Sequence, residues 1–114
     1  MKSFTYHAPK DVKDASKLAS SSSAFLAGGM TTIPSMKLGL ASYKDVIDIK
    51  NIKKLSGIKV SGKTVTIGAT TKHAEVASSK DVKKAIPALA KLAGNIGDAQ
   101  VRNRGTIGGS ISNN

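Results

Sequence analysis

Residues 24–34 read AFLAGGMTTIP, and their interpretation decides the fold. Ala24-Phe25-Leu26-Ala27 is a short apolar run that suits a strand. It delivers the chain into Gly28-Gly29, and a helix is expected to start just beyond, over TTIPSMKLGL (31–40). Thr32 is placed to cap that helix. Pro34 falls in its first turn, where a missing N–H costs nothing. Glycines without Cβ let main-chain N–H groups converge and let a phosphate approach closely. A concavity of such groups can hold a phosphate without a charged side chain. The plainer reading is a tight turn between strand and helix. Two familiar phosphate loops are absent: Lys37 is followed by Leu38 rather than Ser or Thr, and no G-x-G-x-x-G occurs with an acid about 20 residues on.

Working outward, FTYH (4–7) suits a strand ended by Pro9. DVKDASKLAS (11–20) places Val12, Ala15 and Ala19 on one helical stripe, and Ser20 to Ser23 break it. DVIDI (45–49) suits a third strand. The order strand–helix–strand–helix–strand predicts a small parallel sheet.

The style changes after about residue 50. Ile58-Lys59-Val60 and Thr64-Val65-Thr66-Ile67 alternate apolar and polar around Ser61-Gly62-Lys63, which predicts an antiparallel hairpin. Thr71 is expected to cap a helical turn through KHAEVA, and Ser79 another through KDVKKA. Leu89, Leu92, Ala93 and Ile96 form a helical stripe after Pro87, with Gly97 closing the helix. DAQVRNRGTIGGSISNN (98–114) lacks periodicity and reads as a loop or tail. Within it, Thr106-Ile107-Gly108-Gly109-Ser110 is a second glycine-rich stretch, flanked by the Ser112 hydroxyl and the Asn113 and Asn114 amides.

Composition narrows the chemistry. The chain has 114 residues, 39% of them apolar, with four aromatics and no cysteine. Disulfides, thiolate-bound metal and a thiol nucleophile are excluded. No apolar run approaches the roughly 20 residues of a membrane helix, so a soluble, cytoplasmic protein without membrane contact is expected. The net charge is +11, and Ile49 to His73 carries six lysines and no acid. That excess suits an anionic partner; a solvated lysine face is the plainer reading. Aromatics do not interleave with the lysines, so nucleic acid is not the expected partner. His7 and His73 are the only histidines and Glu75 the only glutamate. His73, in a first helical turn, reads as a cap or surface residue. No metal-ligand spacing, nucleophile elbow or acid pair appears, so chemistry must come from a cofactor.

Four segments, LAGGMTTIPSMKLGL (26–40), VIDI (46–49), TIGATTKHAEVA (66–77) and QVRNRGTIGGSISNN (100–114), together resemble one family. It is the FAD-binding medium subunit of molybdenum hydroxylases, of the aerobic carbon monoxide dehydrogenase type, with the flavin segment of xanthine dehydrogenases a more distant match. The resemblance covers about Phe4 to Asn114 and implies an α+β fold of the vanillyl-alcohol-oxidase type, in which two subdomains hold FAD between them. Here these would be residues 1–54 and 55–114, the second incomplete relative to the family. It implies that Ala27, Gly28, Gly29, Met30 and Thr31 lie on the FAD pyrophosphate. It also implies that Thr106, Ile107, Gly108, Gly109 and Ser110 wrap the dinucleotide and approach the flavin. Met30 and Thr31 depart from the His-Ser or Thr-Asp often found after the first glycine pair.

By this resemblance the chain is the first part of a longer electron-transfer subunit: a truncated product, a split subunit or a cut fragment. It would serve a complex with a molybdenum-containing large subunit and an iron–sulfur small subunit, and would not turn over alone. A second chain supplying the later strands, or self-association, is expected. Two other readings stay open: a structural remnant of this fold without FAD, and a basic nucleic-acid-binding domain.

Overall fold

A computed structural model describes residues 1–113; the Asn114 amide named above lies outside the described residues. The chain divides into two compact units, Met1–Lys54 and Leu55–Asn114.

In the first unit β1 (Thr5–His7), α1 (Val12–Leu18), β2 (Ser23–Leu26), α2 (Thr32–Lys37) and β3 (Asp45–Asp48) follow in order. The three strands form a parallel sheet in the order β1-β3-β2. The last strand is therefore central. Val46 and Ile47 are buried there, as a middle parallel strand covered on both faces requires. Ala15, Met36 and Ile52 are the other buried apolar side chains of this unit. Asp11 caps α1 by accepting from the Asp14 N–H. The cap expected at Thr32 is not formed: the helix starts at Thr32, Thr31 is the N-cap, and its hydroxyl makes no cap bond.

In the second unit β4 (Ile58–Ser61) and β5 (Thr64–Ile67) form the antiparallel hairpin, with Ser61 opposite Thr64. Gly62 turns it at φ +57°. Helices α3 (His73–Ser78), α4 (Lys80–Ala85) and α5 (Pro87–Gly94) follow. Val76, Val82, Ala90 and Ala93 make the core, against Ile58, Val65, Ile67, Ala77 and Leu89. Ser79 caps α4 as expected, accepting from the Val82 N–H at 3.2 Å.

Three expectations beyond Pro87 are corrected. The α5 stripe is rotated: Ala90 and Ala93 face inward and Leu92 is 62% exposed, because small residues let α5 lie close against α3 and α4. The helix ends at Gly94 with Asn95 as C-cap, not at Gly97. The segment after it is not a loop, since it holds α6 (Ala99–Arg102) and α7 (Ile107–Asn113).

Thr71 is not a helix cap either; Lys72 holds the N-cap position of α3 without a side-chain bond. Thr71 is fully buried. Its hydroxyl accepts from the Gly57 N–H at 3.0 Å and donates to the Gly57 carbonyl at 3.2 Å. The Thr70 N–H donates to the Leu55 carbonyl and the Gly68 N–H to the Gly57 carbonyl, each at 2.8 Å. This main-chain contact leaves no room for a side chain at Gly68, where a Cβ would lie 2.3 Å from the Leu55 carbonyl oxygen.

Two alanine substitutions should therefore differ in sign. Gly68→Ala is expected to lower the unfolding free energy by about 2 kcal/mol or more, since backbone must shift to admit the methyl group. Gly94→Ala meets only the Ala77 methyl at 3.7 Å and should raise stability by a few tenths to about 1 kcal/mol. Chemical denaturation of the two variants beside the parent measures both.

Candidate functional site

The first glycine stretch leaves β2 at its C-terminal end, where ligands gather on parallel sheets. Leu26 pairs with Asp48, and the Ile49 N–H donates to the Leu26 carbonyl at 3.0 Å. The start of the stretch is thus fixed beside the end of the central strand. Gly29 is buried with φ +76°, and a Cβ there would sit 2.5 Å from the Ile33 Cδ1. Only glycine fits that turn without strain. The Gly29 and Thr31 carbonyls accept from the Ile33 and Ser35 N–H groups. Among the described residues, the N–H groups of Gly28, Gly29, Met30, Thr31 and Thr32 have no protein acceptor. Five neighbouring main-chain donors remain open.

Beside this turn lies a carboxylate that no sequence motif marks. Asp48 is only 3% exposed. It accepts from the Tyr6 hydroxyl at 2.6 Å and from the Lys50 N–H at 3.0 Å, with the Lys50 Nζ at 3.3 Å. The hydrogen bond to Asp48 holds both the Tyr6 hydroxyl and the Lys50 ammonium above their ordinary pKa values. The signal was an acid inside the apolar run Val46-Ile47-Asp48-Ile49. At the far edge of the sheet His7 Nε2 meets Asp45 Oδ1 at 2.8 Å.

The second glycine stretch is built differently. Thr106 is 6% exposed, and its hydroxyl accepts from the Gly109 N–H at 3.1 Å, capping the start of α7. The Ile107 N–H donates to the Thr71 carbonyl at 3.0 Å and the Gly108 N–H to the Ala69 carbonyl at 2.8 Å. The Ser110 N–H donates to the Thr106 carbonyl at 3.1 Å. Every main-chain donor from Ile107 to Ser110 is therefore engaged. At Gly108 a Cβ would lie 2.6 Å from the Ala69 carbonyl oxygen. That glycine serves the packing of α7 on residues 69–71. From Ile107 to Ser110 the stretch presents no free main-chain amide.

His73 is buried, 4% exposed, rather than a surface or capping residue. Its N–H donates to the Gly105 carbonyl at 3.0 Å, and its Nε2 lies 3.0 Å from the Ser110 hydroxyl. Burial pushes the imidazole below its ordinary pKa of 6.5. No cluster of three metal-ligating side chains occurs among the described residues. None of the described helices is long and apolar enough to cross a membrane.

Residues 2–114 match the family model described as the FAD binding domain in molybdopterin dehydrogenase. The chain belongs to this family. It is 47% identical over 112 residues to the carbon monoxide dehydrogenase medium chain of Hydrogenophaga pseudoflava, covering 96% of this chain and 39% of that one. It is 43% identical over 88 residues to the glyceraldehyde dehydrogenase medium chain of Sulfolobus acidocaldarius, covering 77% of this chain and 31% of that one. Among solved structures, the carbon monoxide dehydrogenase of Oligotropha carboxidovorans matches with a TM-score of 0.95 at 36% identity. That match covers 98% of this chain and 40% of the other. The chain thus spans about two fifths or less of the length of these relatives. The α+β class expected from sequence is the observed one, and the family's cofactor is FAD. Of the two glycine stretches, the one at 27–31 leaves main-chain N–H groups open. The one at 106–110 offers no open N–H among Ile107 to Ser110.

The buried imidazole gives stability a pH dependence of known sign. The unfolded chain binds a proton on this side chain before the folded chain does, so stability is unaffected above about pH 6.5. It should fall as pH drops from there toward the lowered folded value, by at most about 1.4 kcal/mol per pH unit. Urea melts of the parent and His73→Gln between pH 5 and 8 should show this part of the slope in the parent alone.

Proposed function

We propose that this chain is the FAD-holding part of the medium subunit of a molybdenum hydroxylase of the carbon monoxide dehydrogenase type. The observation that carries the reading is the stretch Gly28 to Thr32, at the C-terminal end of a parallel sheet, with five main-chain donors unused. Ala27, Gly28, Gly29, Met30 and Thr31 would hold the pyrophosphate by backbone alone, where charge-assisted bonds are strong. Thr106, Ile107, Gly108, Gly109 and Ser110 are a second contact segment, and the two units correspond to the two flavin subdomains. Bound FAD supplies the redox chemistry. This chain supplies position, not a catalytic group, and works in the cytoplasm with molybdenum and iron–sulfur subunits. The relatives are themselves named as medium chains. Leu38 and Leu40, 74% and 78% exposed, favour association with another chain.

One observation favours the remnant reading: the engaged donors of Ile107 to Ser110. FAD retention separates the two. After mixing with FAD and desalting, the parent should keep a flavin absorbance band. Gly28→Val should weaken retention roughly tenfold, the equivalent of one charge-assisted hydrogen bond. Flavin entirely in the flow-through of a folded parent would support the remnant reading.

A further inference from the structure

We infer that His73 is a positioning residue for the Ser110 hydroxyl, and that this hydroxyl is the donor which residues 106–110 offer an anionic dinucleotide. The inference rests on the FAD reading above. It follows by elimination. The N–H groups of Ile107, Gly108, Gly109 and Ser110 all have acceptors within the second unit. The Thr106 hydroxyl accepts the Gly109 N–H, and its residue is only 6% exposed, so it is withdrawn from a ligand at the surface. Ile107, Gly108 and Gly109 have no polar side chain. Ser110 is exposed and carries the one exposed hydroxyl of the stretch.

That hydroxyl does not rotate freely, because His73 Nε2 lies 3.0 Å from its oxygen. The backbone that carries the ring is held on two sides. The His73 N–H donates to the Gly105 carbonyl, and Lys72 bridges Thr106 in antiparallel fashion. Gly105 leaves space for the imidazole: a Cβ there would lie 3.1 Å from the His73 Cδ2. A serine hydroxyl has one proton to give and two lone pairs. If Nε2 is bare, it takes the serine proton, and Ser110 turns only lone pairs toward a ligand, which repels phosphate. If Nε2 carries the imidazole proton, it donates to the Ser110 oxygen, and the serine proton points outward as a donor. A phosphate or flavin acceptor requires the second arrangement. The neutral Nε2–H tautomer is assigned to His73 on this ground.

The test has two independent readouts on the full 114-residue chain. The first needs no ligand. Nitrogen-15 NMR of the imidazoles, with His73→Gln to separate His73 from His7, should show a protonated, pyrrole-like Nε2 for His73 at pH 7.5. The signal should move on Ser110→Ala, an exposed substitution that leaves the fold in place. A pyridine-like Nε2, or a signal indifferent to Ser110→Ala, overturns the positioning role. The second readout is FAD affinity by fluorescence titration. Ser110→Ala and His73→Ala should each weaken binding roughly tenfold, and the double variant should be no weaker than either. His73→Gln, with an amide donor near the Nε2 position, should regain most of the loss. Additive losses, or a glutamine variant no better than alanine, overturn the inference while leaving the FAD reading standing. A parent with pyrrole-like Nε2 that binds no FAD overturns the FAD reading, and the ligand assigned here falls with it.

Discussion

The second unit is organised by main chain lying directly on main chain. Residues 68–71 run between the Leu55–Gly57 segment on one side and the start of α7 on the other, and they bond to both. Gly68 and Gly108 have no space for even one carbon beyond Cα. A buried backbone group must find a partner, and here two connecting segments satisfy each other instead of meeting water. Thr71 completes the contact because one hydroxyl can both give and take a proton. The hairpin, α3 and α7 are thereby tied to a common segment.

This constraint gives the two glycine pairs different tasks. Both put a glycine where a side chain has no room, at Gly29 against Ile33 and at Gly108 against Ala69. In the first unit the donors of Gly28 to Thr32 are unspent. In the second unit the approach is already occupied by the protein's own carbonyls, at Ala69 and Thr71. Glycine content alone does not distinguish a ligand cradle from a packing contact. The destination of each N–H does.

The parallel arrangement of the first unit was legible in the chain because strand signals alternate there with short helical stripes. Ser79 was legible because its helix follows at once with an acid in the first turn. The errors have physical causes. Gly108 and Gly109 carry little helix propensity, yet α7 forms because Thr106 caps it and residues 69–71 hold its first turn. Leu92 looked like a core residue by spacing, but Ala90 and Ala93 allow closer helix packing and take the inner face. Thr71 and His73 were misread because their partners, Gly57, Gly105 and Ser110, lie 14 to 37 positions away. Local pattern carries no information at that range.

The hairpin turn marks a different kind of glycine. Gly62 sits at φ +57°, with no atom within 4 Å of where a Cβ would stand. What that position demands is a left-handed backbone, which asparagine and aspartate also visit at modest cost. Gly68 demands empty volume, which no other residue can provide. Drift among descendants of this sequence should accordingly be uneven, with Asn or Asp surviving at the hairpin tip and no replacement surviving at Gly68.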